Sequence, residues 1–260
     1  MKIKDLKKLN FLTSLRFFTC IIFVILFLFN FFDIFLFEFS RSFPGIIFNF
    51  FKEVINPISD ILDPLNFIIL FSLILFVNFN VKSILNDEKK SSVLKDKTNY
   101  NLEKIEDLFN YISLVSKHFI FSLTVAGIVC NILKYIFGVS RPKYFFLEGY
   151  ERFNFFNFEH KISSFPSGHT QAAFTLAVLF IIYFRRYFWI IIVLATMMGL
   201  SRIFMSMHFP SDLVAGAYLG SVVPFLFYDK IFKKKIEKIK NKHKFTFSDI
   251  LKLMYLRIFI

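Results

Sequence analysis

The sequence predicts an all-α integral membrane protein, a bundle of six transmembrane helices. Three observations carry that expectation. Of the 260 residues, 56% are hydrophobic, and they gather in runs of about 20, the length a helix needs to cross a bilayer. Short basic blocks flank those runs, as they do beside membrane spans. No composition break separates two cores, so one domain is expected, with a basic N-terminus (1–16), a six-helix domain (17–228) and a basic tail (229–260).

The elements follow in order. Lys2, Lys4, Lys7, Lys8 and Arg16 make the N-terminus basic. The first span is expected from Phe17 to Phe37. It is too long for a signal-peptide core and no small-residue cleavage site follows, so it should remain as an anchor. Glu38 to Asp60 carries Pro44, Gly45 and Pro57 among phenylalanines and reads as a segment lying in the membrane interface. The second span covers Ile61 to Phe79, with Pro64 near its start, where a helix tolerates proline. Asn80 to Asn110 is polar and mixed in charge, suited to a short solvated helix. The third span runs from Tyr111 to Leu133, followed by a long loop from Lys134 to Ser167. Gly168 opens the fourth span, which ends near Phe184. Arg185–Arg186 turn the chain into the fifth, Tyr187 to Met207. His208 to Asp212 leads into the sixth, which ends near Tyr228. A final apolar stretch, 245–260, is expected on the membrane surface.

Orientation follows from the Lys and Arg distribution. The N-terminus, the 80–110 stretch, the Arg185–Arg186 turn and the tail together hold 23; the other connections hold eight, with Lys117 lying inside the third span. Both termini are therefore expected in the cytoplasm. The net charge of +13 is used up in these flanks, which leaves no basic soluble face for a nucleic acid. Cys20 and Cys130 stand alone inside apolar runs, without the paired spacing of a zinc site or a disulfide framework.

Three polar clusters stand at span ends on the non-cytoplasmic side: Lys134 with Arg141–Pro142, Pro166–Ser167–Gly168–His169, and Ser201–Arg202 with His208 and Asp212. A lone Arg or Lys at a span end snorkels to the headgroups, and a lone Ser–Gly is a helix cap. Together they say more. Lys134, Arg141 and Arg202 are three like charges that need an anion of high charge density between them; arginine forks match phosphate oxygens and lysine adds a point charge. Seven residues apart, Lys134 and Arg141 would share a face if that stretch is helical. Ser167 and Gly168 open a helix, whose free N–H groups and dipole favour an anion. Asp212, four residues after His208, can fix one ring nitrogen and leave the other as a nucleophile. His169 stands beside the cradle, placed to protonate a leaving oxygen. His118, His160 and His243 carry no such pattern, and only His160 lies near the site.

The pattern Lys134-x6-Arg141-Pro142, Pro166-Ser167-Gly168-His169, Ser201-Arg202-x5-His208-x3-Asp212 resembles the three-part signature of the type 2 phosphatidic acid phosphatase (PAP2) family, whose superfamily includes bacterial acid phosphatases and vanadium haloperoxidases. Every signature position is present over 134–212. The resemblance implies a PAP2/haloperoxidase-like helical core and two-step phosphoryl transfer without a metal or cofactor. By that likeness His208 attacks phosphorus, Asp212 holds it ready, Lys134, Arg141, Ser167, Gly168 and Arg202 bind the phosphoryl oxygens, and His169 acts as acid and then as base. The expected substrate is a lipid phosphate met within a bacterial inner membrane: undecaprenyl diphosphate, phosphatidylglycerol phosphate, phosphatidate or a lipid A phosphate. The runner-up readings are a lipid phosphotransferase and a non-catalytic lipid-phosphate binder. Vanadate-dependent halide oxidation is disfavoured by the six spans. Oligomeric state is left open.

Overall fold

The computed structural model describes residues 7–259; residues 1–6 of the expected basic N-terminus lie outside it. The described chain is helical, and its one β contact among the described residues is an isolated Val139–Phe153 bridge. In chain order the principal helices are α1 (Leu15–Arg41), α2 (Pro64–Val77), α3 (Leu102–Phe137), α4 (Gly168–Tyr183), α5 (Phe188–Phe204) and α6 (Pro210–Phe227). By length and composition, five helical runs among the described residues can cross a membrane; α4 is apolar but only 16 residues long, about 24 Å at helical rise against a hydrocarbon core of about 30 Å. The expectation of six full-length spans is therefore met by five, with α4 as a shorter sixth apolar helix. Phe76 on α2 and Trp189 on α5 are 77% and 76% exposed, the lipid-facing surface such helices need.

The chain divides into two compact units. Among the described residues, the first comprises 7–66 and 122–226. Ser14 caps α1, its hydroxyl accepting from the Phe17 amide at 3.2 Å. Within α1, a π turn at Leu28–Phe32 adds a residue to the helical repeat just before Asp33. The stretch expected to lie in the interface is instead partly packed. Gly45–Phe50 and Asn56–Ile61 are helical around a second π turn, Phe51–Ile55. Phe51 and Ile55, four apart and so on one face, bury against Ala173 and Ala177 of α4 and Ala195 and Met198 of α5. The opposite side keeps Ile46 exposed.

Eleven of the 16 residues of α4 are buried, and many are small. Close approach of α6 is possible because Gly216 and Gly220 stand at the contact: a Cβ at these positions would lie 2.5 Å from the Ser167 carbonyl oxygen and 2.2 Å from that of Gln171. Small residues let membrane helices pack backbone to backbone. Here they seat the start of α6 directly on the start of α4, where the signature residues sit.

The second unit comprises, among the described residues, 67–121 and 227–259. Helix α3 begins at Leu102, ahead of the expected Tyr111, because Ile105, Leu108, Phe109 and Ile112 recur at helical spacing and give its polar first turns a buried face. Asp87 caps a helix over Glu88–Thr98 by accepting from the Lys89 and Lys90 amides. The terminal apolar stretch is the helix Phe247–Ile258, opened by a Thr246–Asp249 capping box. It does not only lie on a surface: Leu253 and Leu256 pack into the same core as Leu94, Ile105 and Leu108.

Candidate active site

The site lies within the first unit. Gly138, at φ +50, ends the helical run of α3; a side chain there would collide with the Asn154 carbonyl, so only glycine suits the turn. Asn154 donates to the Gly138 carbonyl at 2.8 Å, Ser140 to that of Arg152 at 3.2 Å and Ser164 to that of Val139 at 2.8 Å. These bonds fold the 152–164 loop back beside 138–141. Lys134 and Arg141 therefore do not share one helix face, as seven-residue spacing in a continuous helix would give. Arg141 instead precedes the short helix Pro142–Glu148. The two cations still converge: Lys134 Nζ donates to the Ser163 carbonyl at 2.6 Å and Arg141 Nη2 to the Ser163 hydroxyl at 3.2 Å.

Arg202, near the end of α5, is buried and donates through Nη1 to Asn56 Oδ1 at 2.8 Å. The Nε groups of Arg141 and Arg202 are buried without a partner among the described residues. Buried donors left open are costly unless a ligand takes them. Ser167 caps α4, its hydroxyl oxygen accepting from the Thr170 amide at 3.4 Å and hydroxyl at 2.9 Å; its own O–H remains to donate. Gly168 follows as the first helical residue, with the Lys134 side chain close by. His169 is exposed into a cleft of ≈ 180 Å³ whose walls include Ser59, Asp63, Gly168 and Met198.

His208 sits just before α6, as Pro210 at the first turn predicts, and is 2% exposed. Its Nδ1 lies 3.5 Å from Asp212 Oδ2 and 3.3 Å from the Ser164 hydroxyl. That hydroxyl donates to Asp212 Oδ2 at 2.5 Å, and the Phe209 amide donates to the same oxygen at 2.8 Å. Ser164 thus bridges carboxylate and imidazole, while Asp212 Oδ1 has no partner among the described residues. Burial, and then the charges of Lys134, Arg141, Arg202 and His169, push the His208 pKa well below the usual 6.5. A neutral imidazole results, with Nδ1 turned to Ser164 and Asp212 and Nε2 left for chemistry. His160 is held below its usual range chiefly by the charge of Arg141, which places this loop histidine near the cradle.

All eight residues named from the sequence thus belong to one region. Four others were missed. Ser164 bridges His208 and Asp212, and Asn56 receives Arg202. Asp33 accepts from the Ser211 amide at 2.8 Å and hydroxyl at 2.5 Å, and from the fourth, Arg152, at 2.5 Å. One signal could have found Asp33: it is the only carboxylate in the first apolar run, and an ionisable residue there is a functional candidate by default.

An α-helical membrane protein with a buried cluster of cations beside paired histidines is the class these features define. Residues 116–236 match the family model of the PAP2 superfamily. It is similar to the lipid A 1-phosphatase of Rhizobium johnstonii, 32% identical over 111 residues that cover 43% of this chain and 46% of the relative. It is similar also to an undecaprenyl-diphosphatase of Sulfolobus acidocaldarius, 29% identical over 132 residues, 48% of this chain and 59% of the relative, and to the undecaprenyl-diphosphatase BcrC of Bacillus subtilis, 29% identical over 66 residues, 25% of this chain and 34% of the relative. The chain spans about half the length of the first two of these relatives. No solved structure matches.

Proposed function

We propose that the protein hydrolyses a phosphomonoester or diphosphate on a membrane lipid, through a phosphohistidine and without a metal. The carrying observation is the joint placement of Lys134, Arg141 and Arg202, with two open Nε donors, beside a neutral His208 backed by Ser164 and Asp212. Two relatives named for lipid phosphate hydrolysis support the substrate class.

In this reading the three cations, the Ser167 hydroxyl and the first amides of α4 receive the phosphoryl oxygens. His208 Nε2 attacks phosphorus in line with the lipid oxygen, and that P–O bond breaks as the N–P bond forms. His169, open to the cleft, gives its proton to the leaving oxygen. It then takes a proton from water as the water oxygen attacks phosphorus and the N–P bond breaks. Asp212, through Ser164, steadies the positive charge that appears on the imidazole. Residues 17–228 form the catalytic domain, both termini are cytoplasmic, and the site opens to the opposite face at headgroup depth, where lipid arrives by lateral diffusion.

The test is phosphate release in detergent with EDTA from undecaprenyl diphosphate, phosphatidylglycerol phosphate, phosphatidate and lipid A, comparing wild type with His208→Ala. Release that the variant loses is the expected result. Release that survives in the variant overturns the nucleophile. No release from any lipid, with vanadate still bound, overturns the hydrolase in favour of a binder.

A further inference from the structure

The PAP2 match begins at residue 116, yet two residues far upstream reach the site. Asp33 is 1% exposed inside an apolar helix, where a carboxylate is tolerated only when fully engaged. Three donors engage it: the Ser211 amide, the Ser211 hydroxyl and Arg152 Nη2. Ser211 is the neighbour of Asp212. The Arg152 guanidinium lies 3.8 Å over the ring of Phe209, the neighbour of His208, and 4.3 Å over that of Phe29. One carboxylate thus grips the His208–Asp212 segment from both sides without touching either residue.

Asn56 plays a matching part at the other end of the site. Its Oδ1 receives Arg202 Nη1, which leaves the unpartnered Nε edge of that guanidinium to face an anion. Both residues stand directly after a π turn: Leu28–Phe32 before Asp33, and Phe51–Ile55 before Asn56. A π turn adds one residue and so rotates the next stretch of helix by about 100°. It re-aims the side chain that follows it, and such turns are frequent at functional sites.

We propose that Asp33 and Asn56 are positioning residues supplied by the N-terminal helices: Asp33 sets the His208–Asp212 segment through Ser211 and Arg152, and Asn56 sets the phosphate-binding fork of Arg202. The proposal rests on the phosphatase reading above. It divides the two roles. Asp33 serves the chemical step and Asn56 serves anion binding.

The experiment compares Asp33→Asn and Asn56→Ala with wild type, after size-exclusion and thermal unfolding confirm folded protein. It reads kcat, KM and the inhibition constant for vanadate. Asp33→Asn should lower kcat by about 10- to 100-fold, the scale of a sub-ångström misplacement, and leave vanadate inhibition within about twofold. Asn56→Ala should raise KM and the vanadate constant together by about tenfold, the loss of one oriented charge-assisted bond, with kcat nearly kept. Should Asp33→Asn not fold, Ser211→Ala removes one of the three contacts, and an unchanged kcat there overturns the Asp33 role. Folded variants with wild-type constants, or two variants that lose kcat and vanadate affinity alike, overturn the division. If the wild type releases no phosphate, the phosphatase reading falls by itself. Calorimetric binding of vanadate to wild type and Asn56→Ala then still decides the Asn56 role: tenfold weaker binding upholds it and equal binding overturns it.

Discussion

Replacing Gly216 with alanine tests how tightly the site depends on the seating of α6 against α4. The added methyl would lie 2.5 Å from the Ser167 carbonyl oxygen, 3.2 Å from the Gln171 nitrogen and 3.3 Å from the Thr170 Cβ. Ordinary contact begins near 3.4 Å, so the first of these is short by about 0.9 Å. All three atoms belong to the first turn of α4 or its cap, and the two backbone atoms cannot swing aside as a flexible side chain would. The start of α6 must therefore withdraw by most of an ångström. The Ser167 amide donates to the Asp212 carbonyl at 3.0 Å, so the movement strains the link between the phosphate cradle and the segment carrying His208. Overpacking of this kind costs about 1–3 kcal/mol of stability. A displacement near 1 Å at reacting groups lowers turnover by about 100-fold. The assay is kcat on the preferred lipid phosphate beside the unfolding midpoint in detergent. Gly127→Ala is the control: a Cβ there meets nothing within 4 Å, and mid-helix alanine is favoured over glycine. Wild-type turnover in folded Gly216→Ala, or equal losses in both variants, would refute the reasoning.

Other outcomes rest on the same geometry. Ser164→Ala removes the hydroxyl between His208 and Asp212 and should reduce kcat by about tenfold or more; an unchanged kcat would show that the bridge is idle. Asp212→Asn should slow turnover strongly, yet less than His208→Ala, and the reverse order in steady-state rates would exchange their roles. The His208 pKa lies well below 6.5, so the imidazole stays neutral as pH falls through 6.5, and any acid limb of kcat/KM that His208 causes must lie well under that value. In the unfolded chain the same ring takes up its proton near 6.5, so its contribution to stability is present above that pH and declines as pH falls below it. That decline should disappear in His208→Asn, and a pH–stability curve that keeps it assigns the effect to another group. Single cysteines at 165 and 244 should label from opposite faces of intact membranes, and labelling of both from one face would overturn the proposed orientation.

How much could be read in advance differed along the chain for physical reasons. The 134–212 motifs were legible because their chemistry is local. A serine at a helix start caps it wherever the helix packs, and Asp212 four residues after His208 comes into reach even though His208 lies outside the helix. The Lys134–Arg141 relation was legible only on the condition that the stretch is helical, and Gly138 ends the helix between them; the two charges meet through Ser163 rather than across a helix face. The segments 38–60 and 245–260 read as surface-lying because phenylalanine and isoleucine recur through both of them. Only the packed structure distinguishes Phe51, Ile55, Leu253 and Leu256, which are buried, from neighbours that remain exposed. Asp33 and Asn56 were hidden by distance in sequence, since their partners lie more than 100 residues away. The π turns before them leave no mark in hydropathy.

The central claim is that phosphorus passes through His208, and one measurement meets it directly. Lipid phosphate carrying labelled phosphorus is mixed with the enzyme in EDTA, stopped within milliseconds by alkali, and the peptides are sequenced by mass spectrometry. The account predicts label on the peptide containing His208, rising before free phosphate is released and absent from His208→Ala. Steady turnover with no labelled peptide, or with label on another residue, would contradict it.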